Sequence, residues 1–307
     1  MRVLAHIHTF NDADIIDETI AAVRRQTRPV DGLIVVDNAS TDGTLECPSL
    51  RDVEIIRHRD NLGTSGAVHS GFRYALDHGY DWIWVLDADS IVAPDALEKL
   101  LELYQSWPRG RQEETAFLAT QGYNIRDGFA VNGQMFIRRG FEMVNPPPGE
   151  QYYPCHVTIW SGCLYRLAAV RQIGLPNPDY VLDWGEGEYG YRTMKAGYKG
   201  FIHRGANLQH NVRGSPSFVA YRHKVGPITI KLYRFPPIRC YYACRNSLYF
   251  PLYDIAEWRL RLVLSNVLTH GKITVNFLMR PWSHGAQIAA CFRGIWHGLT
   301  GNIAARY

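Results

Sequence analysis

A short apolar run that ends in two carboxylates constrains this chain most strongly. Residues Trp82 to Leu86 are apolar, and Asp87 and Asp89 follow directly. The pattern predicts a buried strand, and ligands bind beyond the carboxyl ends of the strands in an open α/β sheet. Two hard oxygen ligands at such a strand end suit Mg²⁺ or Mn²⁺ holding a diphosphate. A solvated turn is the alternative interpretation of so short a motif.

Length and composition indicate a globular chain with a sizeable core. The 307 residues are 46% hydrophobic and 20% charged, enough for one large domain or a domain with an appendage. The six cysteines include no Cys-x-x-Cys pair and the chain opens without a signal peptide, so we expect a cytoplasmic protein. No apolar stretch approaches the roughly 20 residues that span a bilayer. We therefore expect no membrane crossing, although contact with a membrane surface stays open.

Charge is distributed unevenly along the chain. Residues 1–188 include 27 of the 29 acidic residues and 16 Lys or Arg, whereas residues 189–307 include 17 Lys or Arg and 2 acids. The C-terminal third is therefore strongly cationic. Such a region suits polyanions: an anionic bilayer surface, a phosphate-bearing substrate or a nucleic acid.

Strand-like and helix-like patterns alternate in the N-terminal half at the spacing of βαβ units, which predicts an α/β fold. The expected strands span residues 2–8, 33–36, 53–56 and 82–86; the expected helices span 11–27 and 65–78, with a third beginning at Pro94. Residues 109–149 are expected to be irregular. Beyond them we expect a strand at 157–160, helices at 166–173 and through Met194 to Gly197, and amphipathic helices at 241–250, 259–279 and 286–303.

Two further segments suggest ligand binding. Asp37 closes an apolar strand and is suited to accept a hydrogen bond from a base N–H, although the residues after it are ordinary turn formers. The loop Arg59–Gly66 precedes a helix, and glycines and helix N–H groups favour phosphate; a plain loop is the alternative. This loop is neither G-x-G-x-x-G nor a Walker A motif, which argues against a dinucleotide oxidoreductase or a P-loop phosphotransferase.

Taken in order, these segments resemble the inverting glycosyltransferases of family two, which have the GT-A fold. The resemblance covers residues 3–250 and rests on Gln26-Thr27, Val35 to Thr44, Asn61-Leu62-Gly63, Leu86 to Asp89, Trp184 to Arg192, Tyr241-Tyr242 and Arg245-Asn246. The last pieces look most like the rhamnosyl- and galactofuranosyltransferase-like branch, which builds bacterial surface polysaccharides. The implied fold is a Rossmann-like, nucleotide-sugar-binding mixed sheet flanked by helices over residues 1–215. A basic, aromatic-rich, amphipathic helical extension would occupy residues 216–307.

The resemblance also implies a donor site. It assigns nucleotide binding to Thr9, Asp37, Asn61, Gly63 and Asp87. It assigns the metal, Mn²⁺ or Mg²⁺, to Asp87, Asp89 and a later histidine. His210 is the best positional match and His203 the second choice, with an ordinary surface or core histidine as the alternative.

An inverting transfer needs one base near the acceptor hydroxyl. Glu186 aligns with the base of the family, but the family usually has an Asp there, preceded by another acid, where this chain has Gly185. Asp183 and Glu188 are therefore the fallback candidates, although Glu188 lies four residues before Arg192, where an ordinary ion pair would explain it. Trp160, Gly162 and Trp184 would shape the acceptor pocket, with core packing as the alternative for each tryptophan.

The implied activity moves one sugar from a UDP- or dTDP-linked donor to a hydroxyl of a glycan or polyprenyl-diphosphate-linked acceptor. Galactofuranose, glucose and rhamnose all fit a pyrimidine-nucleotide pocket. Processive polysaccharide synthases also resemble this family, but they carry membrane spans and a Gln-x-x-Arg-Trp motif that are missing here. We therefore expect transfer of single sugars.

The cationic C-terminal part has three competing interpretations. In the first, this part attaches the enzyme peripherally to the anionic inner face of the cell membrane. In the second, the chain is a catalytically inactive GT-A-like domain that serves as a membrane-, nucleic-acid- or protein-binding module. In the third, this part is a solvated helical face or a homo-oligomer contact. No nucleic-acid fold motif supports the nucleic-acid variant. Membrane attachment is favoured because aromatic and basic residues are interleaved: Trp258, Arg259, Arg261, Lys272, Phe277, Arg280, Trp282, Arg293 and Trp296.

Overall fold

The structure is a computed structural model in two compact units. It describes residues 1–125, 128, 130–137, 140–210, 219–225, 228–233, 235–255, 262–264, 266 and 285–307, with only the backbone described at 219–225 and 228–233. The first unit comprises residues 1–137, 141–178 and 189–214, and the second comprises 138–140, 179–188 and 215–307. The sequence-based division between residues 215 and 216 stays a prediction.

The strands and helices of the described residues are numbered here in chain order. The strands are β1 Val3–Thr9, β2 Gly32–Asp37, β3 Glu54–Arg57, β4 Trp82–Asp87, β5 Ile91–Val92, β6 Thr115–Asn124, β7 Ala130–Val131, β8 Gln134–Ile137, β9 Gly140–Met143, β10 Tyr152–Cys155, β11 Cys163–Arg166, β12 Lys199–His210, β13 Val219–Val225 and β14 Ile228–Tyr233. The helices are α1 Ile16–Arg24, α2 Gly63–Asp77, α3 Ala96–Ser106, α4 Arg109–Glu114, α5 Leu167–Ile173, α6 Gly185–Lys195, α7 Pro237–Tyr249 and α8 Gly285–Leu299.

A mixed sheet forms the centre of the first unit. Its strand order is β10-β12-β6-β11-β4-β1-β2-β3, with β5 paired to β12 and β7 paired to β6. The pairs among β4, β1, β2 and β3 are parallel, whereas β11 runs antiparallel to both of its neighbours. Helices pack on both faces, since the side chains of β1 alternate between two apolar clusters: Val3, Ala5 and Ile7 enter one, and Leu4 enters the other. This architecture confirms the α/β fold class.

The sequence-based elements of the N-terminal half are confirmed, with shifts at their ends. Strand β4 begins at Trp82 as expected, and its five apolar residues are buried. Helix α1 is shorter than expected, because Asn11 adopts a positive φ of 59° and residues 12–15 form a turn before Ile16. The helix expected from Pro94 begins at Ala96.

Two expectations for the middle of the chain are wrong. Residues 109–149 are not irregular, because they contain α4 and the ten-residue strand β6, whose first eight residues are buried. The strand expected at 157–160 lies instead at Cys163–Arg166. Val157 makes only an isolated bridge to Gln134, and the loop side chain of Trp160 packs against Phe72. Apolar residues at 157–160 thus reflect burial of a loop rather than a strand.

Helices α7 and α8 form much of the described second unit. They pack closely, since a Cβ atom at Gly294 would come within 2.4 Å of the Tyr241 carbonyl oxygen and one at Gly298 within 2.6 Å of the Arg245 carbonyl oxygen. The expected helices at 241–250 and 286–303 correspond to α7 and α8. Most of the expected helix at 259–279 lies outside the described residues, as do Trp258, Arg259, Arg261, Lys272, Phe277, Arg280 and Trp282. Within the described chain, no helix is both long and apolar enough to cross a bilayer.

Candidate active site

The carboxyl end of β4 brings three ligand-type side chains together. Asp87 is the last residue of β4, Asp89 follows in the turn, and His210 is the last residue of β12. Strand β5 lies just beyond Asp89 and pairs with β12 through Leu208 and Gln209, which places His210 beside the acidic turn. One oxygen or nitrogen atom from each of the three residues lies within 4.8 Å of the others. The arrangement therefore has the donor types and the spacing to hold one divalent cation.

The two carboxylates differ in their electrostatic surroundings. Burial would raise the pKa of Asp87, but His8, His210 and His6 together hold it below its ordinary value. The Asp89 pKa is raised, first by burial and then by the negative charge of Asp87. Asp87 is thus the more firmly ionised of the pair, and Asp89 is the carboxylate that most needs a compensating positive charge.

A buried chain of hydroxyl groups connects the cluster. The Ser161 hydroxyl accepts a hydrogen bond from the Asp87 N–H at 3.0 Å and donates one to Ser90 Oγ at 2.8 Å. Ser90 Oγ in turn lies 3.0 Å from His210 Nδ1. These hydrogen-bonded hydroxyl groups fix the backbone of Asp87 and the ring of His210 relative to each other. Sequence reasoning missed Ser90, because a serine after an acidic turn is an ordinary turn residue.

The residues assigned to the nucleotide lie at neighbouring strand and helix ends. Thr9 ends β1, and its hydroxyl donates to Asp12 Oδ2 at 2.9 Å. Asp37 ends β2, is fully buried, and accepts a hydrogen bond from the Ser40 N–H at 3.0 Å. At the start of α2, Asn61 Oδ1 accepts a hydrogen bond from the Gly63 N–H at 2.8 Å.

Glycine at position 63 has a conformational reason, since its φ is +70°. The carbonyl oxygen of this residue also accepts a hydrogen bond from Asn38 Nδ2 at 3.1 Å, which ties the loop before α2 to the residue that follows β2. The structure therefore groups these predicted positions at one edge of the sheet.

The candidate acceptor residues are distributed between the two units. Within the first unit, Trp160 is buried, packing against Phe72 and Tyr189. Gly162 has a φ of +87°, and a Cβ atom there would collide with the Thr120 hydroxyl, so the position requires glycine. Trp184 belongs to the second unit, where its ring lies 5.6 Å from that of Phe250.

The three candidate bases belong to the second unit and differ in their surroundings. Asp183 Oδ1 forms an ion pair with Arg239 Nη2 at 2.7 Å. Glu188 is buried, whereas Glu186 is partly exposed in the first turn of α6. A base must reach its substrate, so these surroundings favour Glu186 over the other two.

Comparison with known proteins identifies the region around the acidic cluster. Residues 5–110 match the family described as Glycosyl transferase family 2. Residues 5–110 are therefore similar to the members of that family. An undecaprenyl-phosphate mannosyltransferase of Micrococcus luteus is 36% identical over 33% of this chain and 44% of its own length. A galactofuranosyltransferase, GlfT1, of Mycobacterium tuberculosis is 27% identical over 64% of this chain and 65% of its own.

Structural comparison identifies the fold. A mannosyltransferase from Pyrobaculum calidifontis, solved with GDP-Man and Mn²⁺, superposes with a TM-score of 0.58 at 14% identity over 97% of this chain and 87% of that chain. The likeness confirms the GT-A fold. This chain spans between about two fifths and two thirds of the length of the curated relatives named above.

Proposed function

We propose that this chain is an inverting, metal-dependent glycosyltransferase of bacterial cell-surface polysaccharide synthesis. It moves one sugar from a UDP- or dTDP-linked donor to a hydroxyl group of a glycan or polyprenyl-diphosphate-linked acceptor. The observation that carries the proposal is the convergence of Asp87, Asp89 and His210 within 4.8 Å, with both aspartates inside the region that matches glycosyltransferase family 2.

Each group has one chemical task in this reaction. Asp87, Asp89 and His210 would hold Mn²⁺ or Mg²⁺, which neutralises the charge of the departing diphosphate. The cluster of two carboxylates and an imidazole suits Mn²⁺ better than Mg²⁺, because Mg²⁺ favours oxygen ligands. Glu186 takes the proton from the acceptor hydroxyl as its oxygen bonds to the anomeric carbon, and the bond from that carbon to the diphosphate breaks. Thr9, Asp37, Asn61 and Gly63 hold the nucleotide.

Ligand protection tests this function against that of an inactive binding module. Thermal unfolding of the full chain is measured with UDP, dTDP and GDP, each with Mn²⁺, with Mg²⁺ or with a chelator. Metal-dependent stabilisation by UDP or dTDP is expected, since a ligand that binds the folded state at 100 times its Kd adds about 2.7 kcal/mol. Hydrolysis of UDP-, dTDP- and GDP-sugars then identifies the donor. If none of the nucleotides raises the unfolding temperature, the proposal is contradicted.

We further propose peripheral attachment to the cytoplasmic face of an anionic membrane. Helix α8 exposes three large apolar side chains spaced by four and three residues: Phe292 is 58%, Trp296 65% and Leu299 50% exposed. That spacing places them on one helix face, and the C-terminal part of the chain is rich in Lys and Arg. A bilayer surface would bury this face and attract the cations.

Liposome flotation tests the attachment. Wild-type protein is expected to float with vesicles containing anionic lipid, to float less with neutral vesicles, and to be released by high salt. Trp296→Ser should weaken flotation, whereas Tyr123→Ser, which removes an exposed aromatic ring in the first unit, should not. Equal flotation with neutral and anionic vesicles would contradict the electrostatic part of the proposal.

A further inference from the structure

A strained turn precedes the helix that carries Glu186. Asp183 and Trp184 have positive φ angles of 60° and 68°, and α6 begins at the next residue. Residues with side chains rarely adopt this conformation, because it is sterically strained for them. Two such residues in succession persist only where the surrounding structure holds them. The groups that hold this turn therefore also set where α6 begins.

Asn246 of α7 donates hydrogen bonds to the turn and to the residues that lead into it. Its side-chain amide donates to the carbonyl oxygens of Tyr180, Leu182 and Asp183 at 3.2, 2.8 and 3.0 Å. Asn246 is fully buried, so water cannot replace these contacts. Two turns further back on α7, Arg239 adds the ion pair to Asp183.

Arg245 fixes Asn246 and connects it to the C-terminal tail, residues Ile303–Tyr307. Its Nε donates to Asn246 Oδ1 at 2.8 Å, which orients the amide so that its N–H groups face the turn. Its Nη1 donates to the carbonyl oxygens of Ile303 and Ala305, and its Nη2 donates to that of Asp179. The guanidinium is fully buried under the Tyr242 ring, 4.7 Å from the ring centroid. One cation thus joins the tail, α7 and the segment that leads into α6.

We propose that Arg245 and Asn246 are positioning residues for Glu186, and that the C-terminal tail is part of the same support. The inference rests on the proposed function, because it takes Glu186 as the base. Glu186 is the second residue of α6, so a change in the preceding turn moves its side chain directly. A displacement of about 1 Å at a reacting group is enough to lower a rate by about 100-fold.

Asn246→Asp tests the support, because it keeps the side-chain size but replaces the N–H donors with oxygen facing three carbonyl oxygens. Ser247→Ala is the matched control, since the Ser247 hydroxyl is equally buried but, among the described residues, bonds only to the Cys244 carbonyl of its own helix. A chain ending at Asn302 is the second variant; it removes the tail carbonyls and the ion pair between Arg306 and Asp179 without substituting any residue of α7. Hydrogen exchange of peptides covering residues 179–189 is measured for all four proteins by mass spectrometry.

Exchange in this segment is expected to rise at least tenfold in Asn246→Asp and in the shortened chain, and to stay unchanged in Ser247→Ala. The kcat for sugar transfer should fall at least tenfold in the same two variants, with the donor KM within twofold of wild type. If Asn246→Asp fails to fold, exchange and kcat of the shortened chain test the proposal instead. Exchange at the wild-type rate in Asn246→Asp and in the shortened chain overturns the proposal. Faster exchange in these two variants with a normal kcat also overturns it. A wild-type chain that transfers no sugar, with exchange responding as expected, instead overturns the proposed function and leaves the support of the turn standing.

Discussion

Nε2 of His8 lies 3.0 Å from Oδ1 of Asp87, and the two residues are register partners on adjacent parallel strands. This contact leaves the other carboxylate oxygen, Oδ2, on the side of His210, 3.8 Å from its Nδ1. A residue that donates to a metal-binding carboxylate orients that ligand, and removing such a partner typically weakens metal binding 10- to 100-fold. His8 is therefore expected to set the affinity of the site without touching the ion.

The variant His8→Leu tests this relationship. It removes the hydrogen-bond donor while keeping most of the side-chain volume, so Mn²⁺ affinity in the presence of UDP is expected to fall at least about 10-fold. Isothermal titration measures the affinity, and His6→Leu is the control because His6 stacks on His8 without bonding to Asp87. Equal Mn²⁺ affinity in wild type and His8→Leu would show that the contact does not orient the ligand.

Asp89→Asn is expected to stabilise the metal-free protein while removing metal-dependent nucleotide binding and turnover. The folded-state pKa of Asp89 is raised above its ordinary value of 3.8 by burial and by Asp87. Because this pKa is raised on folding, the Asp89 carboxyl contributes favourably to the free energy of unfolding below pH 3.8, and this contribution is lost as pH rises through the folded-state pKa. At neutral pH the ionised Asp89 therefore destabilises the metal-free protein.

The amide removes this penalty, and a gain of about 1 kcal/mol in unfolding free energy at pH 7 is expected without metal. Urea unfolding with a chelator, compared with unfolding in Mn²⁺ and UDP, separates the two effects. A variant that loses stability in the chelator would contradict the electrostatic argument.

The parallel half of the sheet was predictable because most residues of β1, β2 and β4 are buried, on both faces of the sheet. Such strands appear in sequence as continuous apolar runs, and the acids at their ends mark the ligand edge. Asp87 and Asp89 could be placed on that basis. His210 was placed by order of motifs alone, since β12 has no clear strand pattern and its register shifts between His203 and Asn207.

The missed elements depend on tertiary partners. Strand β6 lies between β11 and β12, and pairing on both sides decides its conformation more than its own residues do. The turn at Asp183 and Trp184 gives no sequence signal, because positive φ angles are ordinarily marked by glycine. It is held by Asn246, which lies more than 60 residues away. Local sequence patterns carry no information of this kind.

Replacing Glu186 tests the assignment of the base. Glu186→Gln keeps the side-chain shape but cannot accept a proton, so kcat is expected to fall by about 100- to 10,000-fold with donor affinity nearly unchanged. Single-turnover transfer and titration of the UDP–Mn²⁺ complex measure the two quantities. Glu188→Gln is the matched comparison, because Glu188 is buried in the same helical turn. If the loss of rate appears in Glu188→Gln and not in Glu186→Gln, the base is Glu188.

His6 lies in the middle of β1, fully buried, and among the described residues neither of its ring nitrogens has a hydrogen-bond partner. A buried polar group without a partner costs about 1–3 kcal/mol. His6→Leu is therefore expected to raise the free energy of unfolding at pH 7.5 by at least about 1 kcal/mol. Gly71 packs directly on the imidazole, where a Cβ atom would lie 2.7 Å from the ring, so a larger replacement such as tryptophan should destabilise.

The stabilisation should grow as the pH falls. Burial first, and then the charge of His8, lower the pKa of His6 well below its ordinary value of 6.5. Below pH 6.5 the unfolded chain binds a proton at this residue and the folded chain does not, so the wild type loses stability that His6→Leu keeps. The difference in unfolding free energy between the two proteins should widen by up to about 1.4 kcal/mol per pH unit below that point. Urea unfolding at several pH values between 7.5 and 5.5 measures it, in a chelator so that metal binding does not contribute. A difference that stays constant over this range would mean that His6 takes up a proton in the folded protein.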